Sequence, residues 1–146
     1  MKFSIDKQDN YTIFSLLEPK LNAVIAPEVK TRFALMNSEG DRYIIFDLSQ
    51  VSFVDSSGLS AILTGHRLCE NADGLFVLAM PSENVQRLIA ISQLTDVLNV
   101  ANTMDEALNS VGMAALVNAI EDNEDYSSEE EDEANSDDLW TDNIRS

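Results

Sequence analysis

Two apolar runs constrain this chain more than any other feature: YIIFDLS at 43–49 and GLFVLAM at 74–80. Neither alternates apolar with polar residues, so each reads as a strand covered on both faces, as strands are in a sheet flanked by helices. Each is followed by apolar residues at helical spacing. Leu59, Ile62, Leu63, His66 and Cys69 follow the first, and Val85, Leu88 and Ile89 follow the second. Strand and helix in alternation predict an α/β fold, a mixed β-sheet with helices packed against it.

The remaining segments fit around that frame. FSID (3–6) and YTIFSLL (11–17) flank the polar KQDN and predict an opening β-hairpin. LNAVIA (21–26) reads as a short strand or a loop leading into a helix, with Pro27 suited to a first helical position, where its missing N–H is not needed. Val29, Phe33 and Met36 share one face of that helix, and Gly40 is its stop. VSFV (51–54) is expected to prolong the first central strand. Ser82 is placed to cap a helix, and Val97, Leu98 and Val100 predict a short strand. Thr103 and Glu106 have capping-box spacing ahead of Leu108, Val111 and Ala115, in a helix expected to fade near Ile120.

Charge divides the chain in two. Of 146 residues, those from Glu121 onward include 12 acidic groups against Arg145 alone, whereas the first 120 carry 8 basic against 14 acidic residues. Residues 1–120 are therefore read as one domain. Residues 121–146 are read as an acidic tail expected to be disordered, because EDNEDYSSEEEDEANSDD has almost no apolar groups to offset its ordering entropy. The tail ends in LWTDNI (139–144), an aromatic and aliphatic cluster with the look of a short docking peptide. A total formal charge of −17 argues against a nucleic-acid partner, since phosphate binding depends on clustered Lys and Arg. The single cysteine, Cys69, permits neither a disulfide framework nor a CxxC metal site. With no apolar signal core and no membrane-length run, a cytoplasmic protein without membrane insertion is expected.

Chemistry concentrates in VSFVDSSGLSAIL (51–63), where Asp55, Ser56, Ser57 and Gly58 stand between a strand and a helix. Nucleophilic catalysis would require a base. His66 lies about 15 Å along the helix that Ser56 would begin, beyond hydrogen-bond reach. Val54 stands where a G-x-S-x-G elbow needs its first glycine, and Leu59 follows Gly58 where a phosphate loop needs lysine. The composition supports no catalytic residue, no metal site and no cofactor. Asp55 or Ser56 as helix cap, with Gly58 allowing close approach, accounts for the turn structurally.

The run DLSQVSFVDSSGLSAIL nevertheless resembles the signature of the STAS domain family, in its branch of bacterial anti-sigma-factor antagonists. The similarity extends through LNAVIAPEVKTRF before it and GLFVLAMPSENVQRLIAISQLTDVLNVANTMDEAL after it, covering about residues 1–118. The resemblance implies a STAS-like fold and a non-enzymatic, phosphorylation-controlled partner switch. The first serine after the aspartate, Ser56, is its implied phosphorylation site. Asp55, Ser57, Gly58 and Asn22 are implied to help form the partner-binding surface. The implied partners are an anti-sigma factor that is also a serine kinase and a metal-dependent serine phosphatase, with the antagonist monomeric when free. An alternative within the same resemblance is a constitutive STAS subunit docked on an ABC-type transporter complex. The chain departs from the family in three places. Asn22 replaces the aspartate of Gly-x-Leu-Asp, Gln93 replaces a glycine common before a leucine, and the acidic extension has no counterpart in short members.

Overall fold

The computed structural model describes residues 1–135 of the chain, with side-chain surroundings through residue 122. Its strands are β1 (Phe3–Lys7), β2 (Thr12–Leu16), β3 (Lys20–Leu21), β4 (Tyr43–Asp47), β5 (Phe53–Val54), β6 (Leu75–Ala79) and β7 (Asn99–Ala101). Its helices are α1 (Ala26–Ser38), α2 (Ser56–Asn71), α3 (Glu83–Ile91) and α4 (Met104–Asn135). A five-stranded sheet has the order β1-β2-β4-β6-β7, in which β1 and β2 form the antiparallel hairpin and the other pairings are parallel. The mixed sheet and the opening hairpin agree with the sequence reading. Met1–Ala114 form one compact unit, and the chain from Ala115 belongs to a second.

Tyr43, Ile44, Ile45 and Phe46 are all buried, as are Phe76, Val77, Leu78 and Ala79, so both central strands are covered on both faces. On one face of the sheet, Phe14, Phe46 and Phe76 interlock with Phe33 of α1. Phe14 and Phe46 stack at 5.2 Å between ring centroids, and Phe33 meets Phe14, Phe46 and Phe76 edge-on at 5.1 to 5.5 Å. Edge-to-face pairing of this kind adds about 0.5–1.5 kcal/mol per pair beyond area burial. Gly65 of α2 faces this cluster, and a Cβ there would stand 2.5 Å from Phe76. Small residues on α2 therefore let the helix sit close to the aromatic layer.

Helix ends follow local chemistry. Ser82 Oγ accepts the Val85 N–H at 3.3 Å, and Thr103 Oγ1 accepts the Glu106 N–H at 3.1 Å. The reciprocal bond expected of Glu106 goes one residue earlier, to the Asn102 N–H at 2.9 Å. Helices α1, α2 and α3 all close with paired bonds that reach back across the last turn, and the residue in the left-handed region is Gly40, Asp73 and Gln93 respectively. Only the first of these stops was expected from a glycine.

Two expectations need correction. VSFV does not prolong β4. The chain bends after Asp47, and Phe53–Val54 pair in parallel with Lys20–Leu21 as a separate two-stranded ribbon. Two-residue strands carry no periodicity, and this one is set by distant backbone: Pro19 C=O accepts the Ser52 N–H at 2.9 Å and Leu21 C=O accepts the Asp55 N–H at 3.2 Å. Nor does α4 end near Ile120. Its backbone continues helically to Asn135, through a stretch free of glycine and proline and rich in Glu, a strong helix former. The expectation for LWTDNI lies outside the described residues.

Candidate functional site

The β3–β5 ribbon fixes where the Asp-Ser-Ser-Gly segment lies. Asp55, extended at φ −96° and ψ −173°, is the residue before α2, and its Oδ1 accepts the Gly58 N–H at 2.8 Å. Asp55 is therefore the helix cap. Ser56 is the first helical residue and not the cap, and Ser57 and Gly58 belong to the first turn of α2 instead of forming a separate turn. A carboxylate in that position satisfies a free N–H and faces the positive end of the helix dipole.

The second carboxylate oxygen of Asp55 reaches across the ribbon to the Ala23 N–H at 3.3 Å. Asn22 acts within its own loop: its Oδ1 accepts the Val24 N–H at 3.1 Å, and its carbonyl accepts the Ala26 N–H at 2.8 Å. The amide at position 22 thus shapes the loop that leads into α1, and Asp55 pins that loop to the start of α2. Gly58 is required by close approach. A Cβ there would collide with the Leu21 carbonyl and stand 2.9 Å from both Leu21 Cγ and Val54 Cγ1.

Ser56 is exposed, Asp55 and Ser57 are half-buried, and Gly58 is buried. No side-chain hydrogen bond ties the Ser56 or Ser57 hydroxyl among the described residues. The two serines and Ser60 form one wall of a groove of about 350 Å³, whose other wall is Ala23, Pro27 and Lys30 of the loop and α1. The structure thus brings Ser56 and Ser57 together with Ala23 and Lys30, while Asn22 does not line the groove. Lys30 drew no attention in the sequence. Its position three residues after Pro27 was the available signal, but the packing of α1 on α2 is what carries it to the serines.

Among the described residues no histidine lines this groove. His66, too far along α2 to serve Ser56 as a base, has a side chain 12% exposed, with Nε2 3.8 Å from Glu70 Oε1. Among the described residues no cluster of three or more His, Cys, Asp or Glu side chains could hold a metal ion, and no helix is long and apolar enough to cross a membrane.

With the geometry in place, comparison with known proteins gives a consistent result. The sequence profile of the STAS domain matches residues 2–107. The chain belongs to the STAS domain family. BtrV of Bordetella bronchiseptica, designated a candidate anti-sigma factor antagonist, is 26% identical over 107 residues, which are 73% of this chain and 91% of BtrV. The anti-sigma-B factor antagonist of Listeria monocytogenes is 24% identical over 106 residues, 73% of this chain and 93% of that one. Among solved structures, a designated anti-sigma factor antagonist of Thermotoga maritima superposes with a TM-score of 0.67 at 27% identity, covering 75% of this chain and 93% of that one. The anti-sigma factor antagonist SpoIIAA in its unphosphorylated form gives 0.61 at 21% identity, with 75% and 97% covered. The Bacillus cell fate determinant SpoIIAA in its phosphorylated form gives 0.60 at 23%, with 75% and 99% covered. The mixed sheet, the opening hairpin and the covering helices are those of the STAS fold.

Proposed function

We propose that this STAS protein is a non-enzymatic anti-sigma-factor antagonist, controlled by reversible phosphorylation of Ser56. Unphosphorylated, it binds an anti-sigma factor that is also a serine kinase, and so frees a sigma factor. Its regulatory domain is residues 1–120, followed by the acidic segment 121–146.

The observation that carries this reading is the division of labour between Asp55 and Ser56. Because Asp55 caps α2 and pins the Ala23 loop, the exposed Ser56 hydroxyl has no structural duty and is open to modification without loss of the fold. In the reaction, Ser56 Oγ attacks the γ-phosphorus of ATP held by the partner kinase. The bond to the ADP oxygen breaks, ADP leaves, and the hydroxyl proton passes to a base of the kinase. The phosphatase reverses the state by hydrolysis: water attacks phosphorus, and Ser56 leaves as the hydroxyl.

A phosphate carries about −1.5 to −2 charges near neutral pH. Placed beside Asp55 on a chain of formal charge −17, it repels and sterically excludes a surface shaped for the neutral serine. SpoIIAA, whose fold this chain shares, exists in both phosphorylated and unphosphorylated forms, which supports a switch that leaves the fold in place.

The test is site-mapped intact mass on protein from its native cells, paired with pull-downs by wild type and Ser56→Glu. Phosphate on Ser56 and loss of the kinase partner in Ser56→Glu are expected. A partner set that is unchanged by Ser56→Glu, with Ser56 never modified, would replace the switch with a constitutive docking role.

A further inference from the structure

A phosphate on Ser56 would not simply project into solvent. Ser56 opens onto the groove it shares with Ser57, Ser60 and Lys30, and Lys30 is the one cationic side chain on its walls among the described residues. Lys30 is half-buried on α1, and no carboxylate lies within ion-pair distance of it among the described residues. The residue before it on the same turn, Val29, is fully buried and anchors that part of α1 in the core. Lys30 thus lines the groove from a helix anchored in the core.

From this arrangement we infer that Lys30 is the counter-charge that receives the phosphate of Ser56 and holds it in the groove between α1 and α2. The inference rests on the proposed modification of Ser56 and adds its structural consequence. Of the negative groups nearby in the chain, Asp55 adjoins Ser56 with its two oxygens already engaged by the Gly58 and Ala23 N–H groups, and Glu28 is exposed on α1 two residues before Lys30. The Ser57 and Ser60 hydroxyls are neutral donors on the same wall. Among the described residues that line the groove, Lys30 is the one full positive charge that can offset the dianion. Modification then changes two things a partner meets: part of the groove is occupied, and the cation that marked it is neutralised. Discrimination between the two forms draws on occupied volume as well as added charge.

The experiment installs phosphoserine at position 56 during translation, so that it does not depend on any kinase, and follows the phosphate by ³¹P NMR as a function of pH. Free phosphoserine loses its second proton near pH 6, and a cation at ion-pair distance lowers that value. In Lys30→Met the midpoint is expected to rise by about 1 pH unit relative to the phosphorylated wild type. Lys30→Arg should restore it to within a few tenths. Asp55, Glu28 and the helix N–H groups are common to all three proteins and cancel in the comparison. Thermal unfolding of each unphosphorylated form checks the fold, and Lys30→Gln replaces Lys30→Met should the latter fail to fold. Equal midpoints in wild type and in the folded neutral variant would overturn the inference. Failure of the function reading shows elsewhere, as absence of native phosphate on Ser56 in the mass measurement, and the titration of the installed phosphate still decides the role of Lys30.

Discussion

Asp55 ties its own helix to a loop 32 residues earlier: one oxygen takes the Gly58 N–H at 2.8 Å and the other the Ala23 N–H at 3.3 Å. The first bond starts α2, and the second fixes the loop that starts α1. One carboxylate therefore sets the mouth of the groove, and Ser56 is left free beside it.

Replacing Asp55 with alanine should remove both bonds. Loss of a helix cap costs about 1–2 kcal/mol, and release of the Ala23 loop adds to it, so a decrease near the upper end of that range is expected in urea unfolding. Asp55→Asn keeps an acceptor for Gly58 but cannot offer an oxygen to both N–H groups, and should fall between the two. Equal stability of Asp55→Ala and wild type would show that neither bond matters to the fold.

Gly58→Ala should be more damaging than its single methyl implies. The new Cβ would press on the Leu21 carbonyl and on the Leu21 and Val54 side chains, and backbone cannot give way as a flexible side chain can. Overpacking of this kind costs about 1–3 kcal/mol and more where backbone must move. By contrast, Gly112→Ala, where a Cβ would meet nothing within 4 Å, should stabilise α4 by about 0.5–1 kcal/mol. Measuring both by denaturant unfolding separates close approach from simple helix propensity, and similar effects of the two substitutions would contradict the packing described.

Gln93 occupies the left-handed region at φ +61°, with the Leu94 N–H bonded to the Ile89 carbonyl at 3.0 Å behind it. The turn keeps the geometry for which glycine is suited, without the glycine. Left-handed backbone costs a residue with a Cβ about 1–2 kcal/mol, so Gln93→Gly should raise stability by about 1 kcal/mol after the extra flexibility of glycine in the unfolded chain is deducted. Thermal unfolding would show a higher midpoint, and a lower one would mean that the Gln93 side chain contributes more than its backbone costs.

The parts of this molecule that were legible in the sequence are those fixed locally or by burial on both faces. Tyr43–Phe46 and Leu75–Ala79 announce themselves because both pleats of these strands are covered by apolar residues, and Ser82 and Thr103 because a cap reads only three residues ahead. The ribbon of Lys20–Leu21 with Phe53–Val54 was hidden because two residues have no period and their partners are over 30 positions away. Asp55 and Ser56 are both good caps in isolation. The choice between them is made by the Leu21 carbonyl and the Ala23 N–H, which only the fold supplies. Asp73 and Gln93 were invisible as helix stops because the left-handed turn is enforced there by the bonds behind it and not by a glycine. Lys30 joined the candidate site for a similar reason, since its distance from Ser56 is a property of helix packing.

Cys69 gives a prediction whose direction follows from its surroundings. The residue is 1% exposed, and burial pushes the thiol from an ordinary value of 9.0 up to about 12, with the Ile44 backbone hydrogen bond opposing and the charge of Asp41 adding to the rise. The folded state thus holds the thiol proton more tightly than the unfolded chain does. The associated stability is fully present below pH 9.0 and is lost as pH rises from there toward about 12. In that interval the slope approaches 1.4 kcal/mol per pH unit, the limit of about one proton's linkage. Urea unfolding of wild type and Cys69→Ala at pH 8 and pH 10 isolates the effect, because Tyr and Lys titration is common to both proteins. The advantage of wild type over the variant should shrink by about 1 kcal/mol at the higher pH, and the folded protein should react with thiol reagents only through transient opening. A constant difference between the two proteins, or rapid labelling of the native thiol, would mean that Cys69 is reached by solvent despite its burial.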